Sequence, residues 1–226
     1  IDGKVVFYGN DTDSVKYICD LGLKGTKFSI DGIETVLPLP GKYNYKNALG
    51  AIALAQVLGL SSRQISDGIS NLKPVSGRSE NLDGNNFFIM QDCYNANPDS
   101  MEKAIEFIGS VKKEAGAKKI FVLGDMLELG SDSKSAHEKT GVLASNSDAD
   151  LVIFIGTEMK SAFEKIKNSS EKNIIFIAGN SQDAMENAAL EIKNVLRGSS
   201  NSIVFIKGSR GMGLERISKI LLGGDE

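Results

Sequence analysis

Five short apolar runs recur along the later part of the chain: FFIM (Phe87 to Met90), KIFVLG (Lys119 to Gly124), DLVIFIG (Asp150 to Gly156), NIIFIA (Asn173 to Ala178) and SIVFIKG (Ser202 to Gly208). They are rich in Ile, Val and Phe and continuous in polarity rather than alternating, so each strand they form must be covered on both faces. Helical stretches separate them, beginning at Pro98, near Ser133, from about Thr157, from Ser181 and from Gly211. Strands covered on both sides and joined through helices pair in parallel. The fold class that follows is α/β, with a Rossmann-like, doubly wound and mostly parallel sheet.

The beginning of the chain has another rhythm. Runs of β-formers, VVFY within Lys4 to Gly9, then KFSI and ETVLPL, are separated by the turn sequences DLGLKG and IDGIE, which predicts strands at a sheet edge. Asn47 to Leu60, NALGAIALAQVLGL, is apolar on nearly every side and predicts a helix buried between layers. Ser61 and Gln64 have capping-box spacing for a second helix. KPVSG, Lys73 to Gly77, then breaks the pattern. The expected boundary lies there, giving a first domain over 1–77 and a second over 78–226.

Hydrophobic residues make up 41% of 226, enough to build a core in each domain. The formal charge of -3, with scattered basic residues, offers no track for a nucleic-acid backbone. Cys19 and Cys93 are too few for a disulfide framework or a zinc site, which fits a reducing, cytoplasmic setting. No apolar run approaches the roughly 20 residues that span a bilayer, so no membrane insertion is expected. The chain opens at Ile1 and enters a strand-like run at once, and a fragment is the expectation.

In open parallel sheets, ligands sit beyond the carboxyl ends of the strands. Those ends read QDCYNANP, LGDMLELG, GTEM, AGNSQD and KGSRGMG. In the first, Asn97, Pro98 and Asp99 are explained by a helix start: a cap, a proline at the first position and an acid against the dipole. Asp92, Tyr94 and Asn95 are not so explained, and a strand-end carboxylate suits the hydroxyls of a ribose. KGSRGMG offers backbone N–H groups beside Lys207 and Arg210, a seat for a carboxylate or phosphate. A dinucleotide fingerprint needs an acid about 20 residues further on, and only 13 residues follow Gly213; a nicotinamide-dependent oxidoreductase domain is therefore the weaker alternative, and a noncatalytic binding module a third.

GKYNYKNA, from Gly41, has the Gly-Lys pair of a phosphate loop but Val36 where the earlier glycine belongs and Tyr43 where Ser or Thr belongs. Asn44 and Asn47 can cap the helix or read a base edge. GDMLELG carries Asp125 and Glu128, with the single histidine, His137, downstream. Metal or acid–base work is one reading, and a solvated loop with a surface histidine is the other.

Taken together, LPLPGKYNYKNALGAIALAQVLG, SGRSE, DCYNANPDSM, VLGDMLELG and IKGSRGMGLE resemble the Mur ligase family, in the family's order and over nearly the whole chain. YNANPDSM and GDMLELG point to the branch that adds a dipeptide. The resemblance implies an ATP- and Mg²⁺-dependent cytoplasmic ligase of peptidoglycan precursor synthesis. Such an enzyme joins D-alanyl-D-alanine to a UDP-N-acetylmuramoyl-tripeptide through an acyl phosphate. Carried over by position, Asn44 and Asn47 resemble adenine readers, Arg78 the interdomain arginine at the nucleotide, and Asp92 the ribose acid with Tyr94 and Asn95 beside it. Ser209 and Arg210, with Lys207, resemble the seat of the dipeptide carboxylate. Tyr43 stands where many members have His. The resemblance also implies that the phosphate loop, the Mg²⁺ ligands and the UDP-binding domain lie upstream of Ile1. The expectation is a monomeric piece, inactive alone: the end of the central ATPase domain followed by the C-terminal domain.

Overall fold

The computed structural model describes residues 5–9, 14–168 and 172–224. The chain divides into two compact units, Ile1–Pro74 and Val75–Glu226.

In the first unit, β1 (Val15–Asp20), β2 (Thr26–Ile30) and β3 (Ile33–Leu37) form an antiparallel sheet in sequence order. Ile30 pairs with Ile33 across a two-residue turn in which Asp31 and Gly32 both have positive φ, 47° and 80°. Asp-Gly supplies that conformation at little steric cost, and its twist matches the flanking strands. Helices α1 (Lys42–Val57) and α2 (Ser62–Ser70) follow. The core gathers Val15, Phe28, Ile30 and Leu37 from the strands with Tyr45, Leu49 and Ile52 of α1 and Ile65 and Ile69 of α2. Tyr45 lies 5.2 Å from Phe28 and 5.6 Å from Tyr17, between ring centroids. Ser61 and Gln64 form the reciprocal capping box at the start of α2.

Two expectations for this unit are corrected. VVFY makes no strand: residues 5–9 carry no regular structure and Phe7 is 90% exposed, while Lys4 lies outside the described residues. β-forming composition stabilises a strand only where a neighbour accepts its hydrogen bonds. The all-round apolar helix begins at Lys42, five positions before the expected Asn47, and it is not buried between layers: Leu54 and Leu58 are exposed while Tyr45, Leu49 and Ile52 are buried. Its composition has no polar face to mark which side meets the sheet.

The second unit contains β4 (Glu80–Asp83), β5 (Phe87–Asp92), α3 (Pro98–Ser110), β6 (Lys119–Gly124), α4 (Ser133–Asn146) and β7 (Leu151–Gly156). It continues with α5 (Lys160–Ile166), β8 (Asn173–Ala178), α6 (Gln182–Leu196), β9 (Ser202–Lys207) and α7 (Glu215–Leu222). The sheet order is β4-β5-β9-β6-β7-β8. Strand β4 is antiparallel to β5 and all other pairs are parallel. This is the doubly wound, mostly parallel α/β sheet that the five apolar runs demand. Connections that run β5 to β8 in one direction and return to β9 place helices on both faces when each crossover is right-handed. Accordingly α3 packs on α4 and α4 on α5, while α6 packs on α7.

Strands β6, β7 and β9 are buried at every position. One face sends Ile120, Val122, Ile153, Val204 and Ile206 against Ala184, Met185, Ala188 and Ile192 of α6 and Ile217 of α7. Each fully buried side chain of that size contributes about 1.5–3 kcal/mol relative to exposure. The last helix starts at Glu215 rather than Gly211: Arg210–Met212 is a separate 3₁₀ turn, and Gly213 at φ 62° in the left-handed region ends it. Strand β4 was not anticipated from the sequence. Its ENLD is polar because it is an edge strand with one neighbour.

Candidate functional site

Register decides which strand ends meet. Asp92, the last residue of β5, pairs with Lys207, the last residue of β9, and Lys207 in turn pairs with Leu123 of β6. Three of the polar loops therefore leave the sheet side by side. Strand β9 lies between β5 and β6, although it is made last. A strand order of this kind opens a crevice for a ligand at the carboxyl edge.

At the end of β5, the Asn97 side chain accepts from Ser100 N–H at 2.8 Å and Ser100 Oγ accepts from Asn97 N–H at 3.1 Å, with Pro98 as the first helical residue. Those residues build the start of α3. Asp92, Tyr94 and Asn95 precede it and are free of that duty. The Asp92 carboxylate receives Lys207 Nζ at 2.5 Å on one oxygen and Ser79 N–H at 3.3 Å on the other. Tyr94 and Asn95 are exposed.

Lys207 stands behind this surface rather than on it. Its side chain is 1% exposed, and Nζ also donates to Asn95 O at 3.3 Å. The direct role at a carboxylate seat that the sequence suggests is therefore not open to its ammonium as it stands here. A buried ammonium so close to a carboxylate fixes that carboxylate's position.

Arg78 projects from a turn tied to the same strand end. The Glu80 carboxylate accepts from Gly77 N–H at 2.9 Å, Ser76 Oγ at 3.1 Å and Gln91 Nε2 at 3.0 Å, and Tyr94 N–H donates to Gly77 O at 2.9 Å. Gly77 has φ 74° and Ser79 φ 46°. The turn is held by Glu80 of β4, by Tyr94 just after β5 and by the Arg78 N–H to Val75 O at 2.9 Å. Sequence reasoning passed over Glu80, whose only signal was an acid directly after a Gly-Arg turn. The Arg78 guanidinium carbon sits 4.0 Å from the centroid of the Tyr94 ring, and that of Arg210 sits 5.1 Å from the same centroid.

The loop after β9 is braced from below. Ser209 is buried; its Oγ accepts from Leu127 N–H at 2.9 Å and its own N–H donates to Asp125 O at 3.0 Å. Arg216 of α7 donates to Gly213 O at 3.0 Å, Met212 O at 3.2 Å and Asn180 O at 2.7 Å. Ser209 thus joins the loops after β6 and β9, and Arg210 is left exposed at the head of the turn.

Asp125 and His137 are structural here. The Asp125 carboxylate is buried and accepts from Thr157 N–H and Met159 N–H, each at 2.8 Å, at the approach to α5. Gly156, at φ 134°, is the residue that fits beside it: a Cβ there would meet Asp125 Oδ1 at 2.2 Å. His137 is 0% exposed, not a surface histidine. Its Nδ1 lies 2.7 Å from Ser133 O, so it donates there, and Nε2 accepts from Met126 N–H at 3.0 Å. Neither nitrogen is left for a metal or a substrate. Glu128 is exposed and adopts φ 66°, an uncommon conformation for a non-glycine residue. Among the described residues, no group of three or more His, Cys, Asp or Glu could hold a metal ion.

The two amides lie in the first unit. Neither caps α1: its N-cap is Gly41, at φ 91°, without a side-chain cap. Asn44 is in the first turn, with Nδ2 donating to Pro40 O at 2.8 Å, and Asn47 is exposed in the second. The capping reading fails because the helix begins earlier than its apolar stretch suggests. Tyr43 folds back over Gly41, where a Cβ would meet its ring at 2.6 Å.

Cys93, beside Asp92, is buried, and burial followed by the nearby Glu215 and Asp92 charges pushes its thiol up to about 12. The arrangement as a whole brings together one fixed carboxylate, one exposed ring and two arginines beside it.

Comparison with known proteins identifies the family. The family model described as Mur ligase, glutamate ligase domain matches residues 77–217. The chain is 36% identical over 220 residues to the UDP-N-acetylmuramoyl-tripeptide–D-alanyl-D-alanine ligase of Treponema pallidum, covering 97% of this chain and 46% of that protein. It is 34% identical to the enzyme of the same name from Bacillus subtilis, covering 95% of this chain and 46% of the relative. Among solved structures, MurF from Acinetobacter baumannii superposes with a TM-score of 0.77 at 24% identity, over 93% of this chain and 44% of that one. MurF ligase from Thermotoga maritima in complex with ADP gives 0.69 at 21% identity, over 97% and 45%. The chain spans less than half the length of these relatives. With the match over most of the second unit and such identity over nearly its full length, this chain belongs to the Mur ligase family.

Proposed function

We propose that the chain is part of an ATP-dependent ligase of peptidoglycan precursor synthesis that joins D-alanyl-D-alanine to a UDP-N-acetylmuramoyl-tripeptide. The observation that carries this reading is the convergence of Asp92, Arg78, Tyr94 and Arg210 at the ends of β5 and β9. The names of the Treponema pallidum and Bacillus subtilis relatives support the choice of substrates. On this reading residues 1–77 are the end of the central ATP-binding domain and 78–226 the C-terminal domain. The same reading places the protein in the cytoplasm as a monomer. No helix among the described residues is long and apolar enough to cross a membrane.

The residues of the second unit fit a nucleotide. Each oxygen of the Asp92 carboxylate has one protein partner, and a carboxylate oxygen has two lone pairs, so both ribose hydroxyls can still donate to it. Tyr94 and Asn95 flank it. Arg78 offers a guanidinium to phosphate oxygens, and Arg210 a planar fork to the terminal carboxylate of the incoming dipeptide. Ser209 and Lys207 act from behind, one by bracing the loop and the other by fixing Asp92. In the first unit, Asn44 and Asn47 contribute amides for the adenine edge, with Tyr43 near them in sequence. ATP, when bound, supplies the phosphoryl group that activates the carboxyl to be joined. Mg²⁺ finds no ligand cluster among the described residues, and we assign its ligands, with the phosphate loop, to the part of the relatives that this chain does not span.

The test is ligation by the complete protein. Phosphate release should require ATP, the UDP-linked tripeptide and the dipeptide together, and Asp92→Asn should weaken nucleotide binding by tenfold or more, about the loss of a charge-assisted bond. Unchanged affinity in Asp92→Asn would remove Asp92 from the site.

A further inference from the structure

The two arginines of the proposed site rest on one aromatic ring. Arg78 and Arg210 stand far apart in sequence, yet their guanidinium carbons are 4.0 Å and 5.1 Å from the centroid of Tyr94. They cannot be further from each other than those two lengths added. Tyr94 also reaches the Arg78 turn through its backbone, since its N–H donates to Gly77 O at 2.9 Å. Tyr94 as a residue is 37% exposed, so its place is not explained by core packing.

Two long cationic side chains at a surface ordinarily sample many rotamers, at a considerable entropic cost to any ligand that must order them. Like charges held close together also repel. An aromatic face opposes both effects, because its negative quadrupole attracts a guanidinium and its flat surface limits where the fork can lie. A shared ring does so for both arginines together. Lys207 Nζ donates to Asp92, two positions before Tyr94, and to Asn95 O, the next residue after it, so the platform is mounted on the fixed end of β5.

We propose that Tyr94 is a positioning residue common to the nucleotide seat and the acceptor seat: its ring holds Arg78 and Arg210 ready for their separate anions, a phosphate group and a peptide carboxylate. This rests on the function proposed above and gives Tyr94 a role beyond contact with the nucleotide. It predicts that one side chain controls the affinity of two chemically unrelated ligands. A residue touching only the nucleotide would control one.

The experiment has two arms. In the 226-residue chain, side-chain protons of both arginines should show ring-current shifts by NMR; Tyr94→Leu should abolish both shifts and Tyr94→Phe should keep both. In the complete ligase, Tyr94→Leu should raise KM for ATP and KM for the dipeptide by about two- to fivefold each, as expected for losing an exposed cation–π contact. The effect on kcat should be smaller, and Phe should restore both constants. Adding Arg210→Ala to Tyr94→Leu should raise the dipeptide KM less than Arg210→Ala does alone. Loss of only one ring-current shift, a change in only one KM, or failure of Phe to restore either constant would overturn the proposal. A wild-type protein that does not ligate would instead sink the functional reading, and the NMR arm would still decide whether the ring carries both arginines.

Discussion

The Asp92–Lys207 pair makes an asymmetric prediction about stability. The two side chains differ in their access to water: Lys207 is 1% exposed and Asp92 16%. Removing the carboxylate by Asp92→Ala strands an ammonium whose remaining partner is the Asn95 carbonyl at 3.3 Å. Breaking a buried pair in this way costs about 3–5 kcal/mol. Lys207→Met removes the more deeply buried charge, and the carboxylate left behind keeps Ser79 N–H at 3.3 Å and can take up water. That loss should be nearer about 1–2 kcal/mol, the order of a net hydrogen bond to a charged group. The double variant Asp92→Ala/Lys207→Met strands nothing and should cost less than Asp92→Ala alone. Urea unfolding followed by far-UV circular dichroism provides the four stabilities, and the double-mutant cycle their coupling. Equal losses for the two single variants, or losses that simply add, would refute the claim that Lys207 is a buried counter-ion rather than a surface ligand.

Other outcomes follow from the same reasoning. Burial pushes the Asp150 carboxyl up, but the Lys113 ammonium, Lys119 N–H and the Lys118 charge together outweigh it and hold the group below its usual value. A carboxyl lowered by folding adds stability that is complete above its unfolded value near 3.8 and is lost as pH falls through the lower folded value; Asp150→Asn should flatten the acid limb of a stability–pH curve, and an unchanged limb would count against the pairing. Gly141 lies in α4, where alanine would ordinarily stabilise a helix by about 1 kcal/mol. A Cβ there would meet Ala162 O at 2.6 Å in the backbone of the neighbouring helix, so Gly141→Ala should destabilise by about 1–3 kcal/mol in thermal or urea unfolding, and a gain would show that the helices do not approach so closely. The Cys93 thiol, pushed up to about 12 by burial and two nearby carboxylates, should resist a disulfide reagent at pH 8 until the protein unfolds; rapid labelling of the native state would show that it is accessible.

The layered sheet was legible because its signal is local and repeated: Ile/Val/Phe runs at regular intervals, each closing on a polar turn. Asn97 and Pro98 were equally plain, since a cap, a proline and the helix they start are neighbours in the chain. The first unit was read less well. VVFY has the composition of a strand, yet pairing is a property of the neighbour and not of the run. The start of α1 was masked by KYNYKN, polar residues that continue a helix as readily as they precede one. At the candidate site, sequence named loops that the structure brings side by side but could not assign depth. Lys207 and His137 are polar types that usually lie outside, and here each is buried because a partner distant in sequence, Asp92 or the Met126 amide, satisfies it. The two arginines on Tyr94 were invisible for the same reason: the unanticipated β4 brings Arg78 to the end of β5, and the adjacency of β5 and β9, decided by the return of the last crossover, brings Arg210 to the same ring.

The proposed function has these strand ends serve a nucleotide and a dipeptide together. Its most direct measurement is ATP-dependent phosphate release by the complete protein with the UDP-linked tripeptide, titrated with D-alanyl-D-alanine against single D-alanine. Release should depend on the dipeptide and be lost with Arg210→Ala through the dipeptide KM. Release that proceeds equally with the single amino acid, or that ignores Arg210, would contradict it.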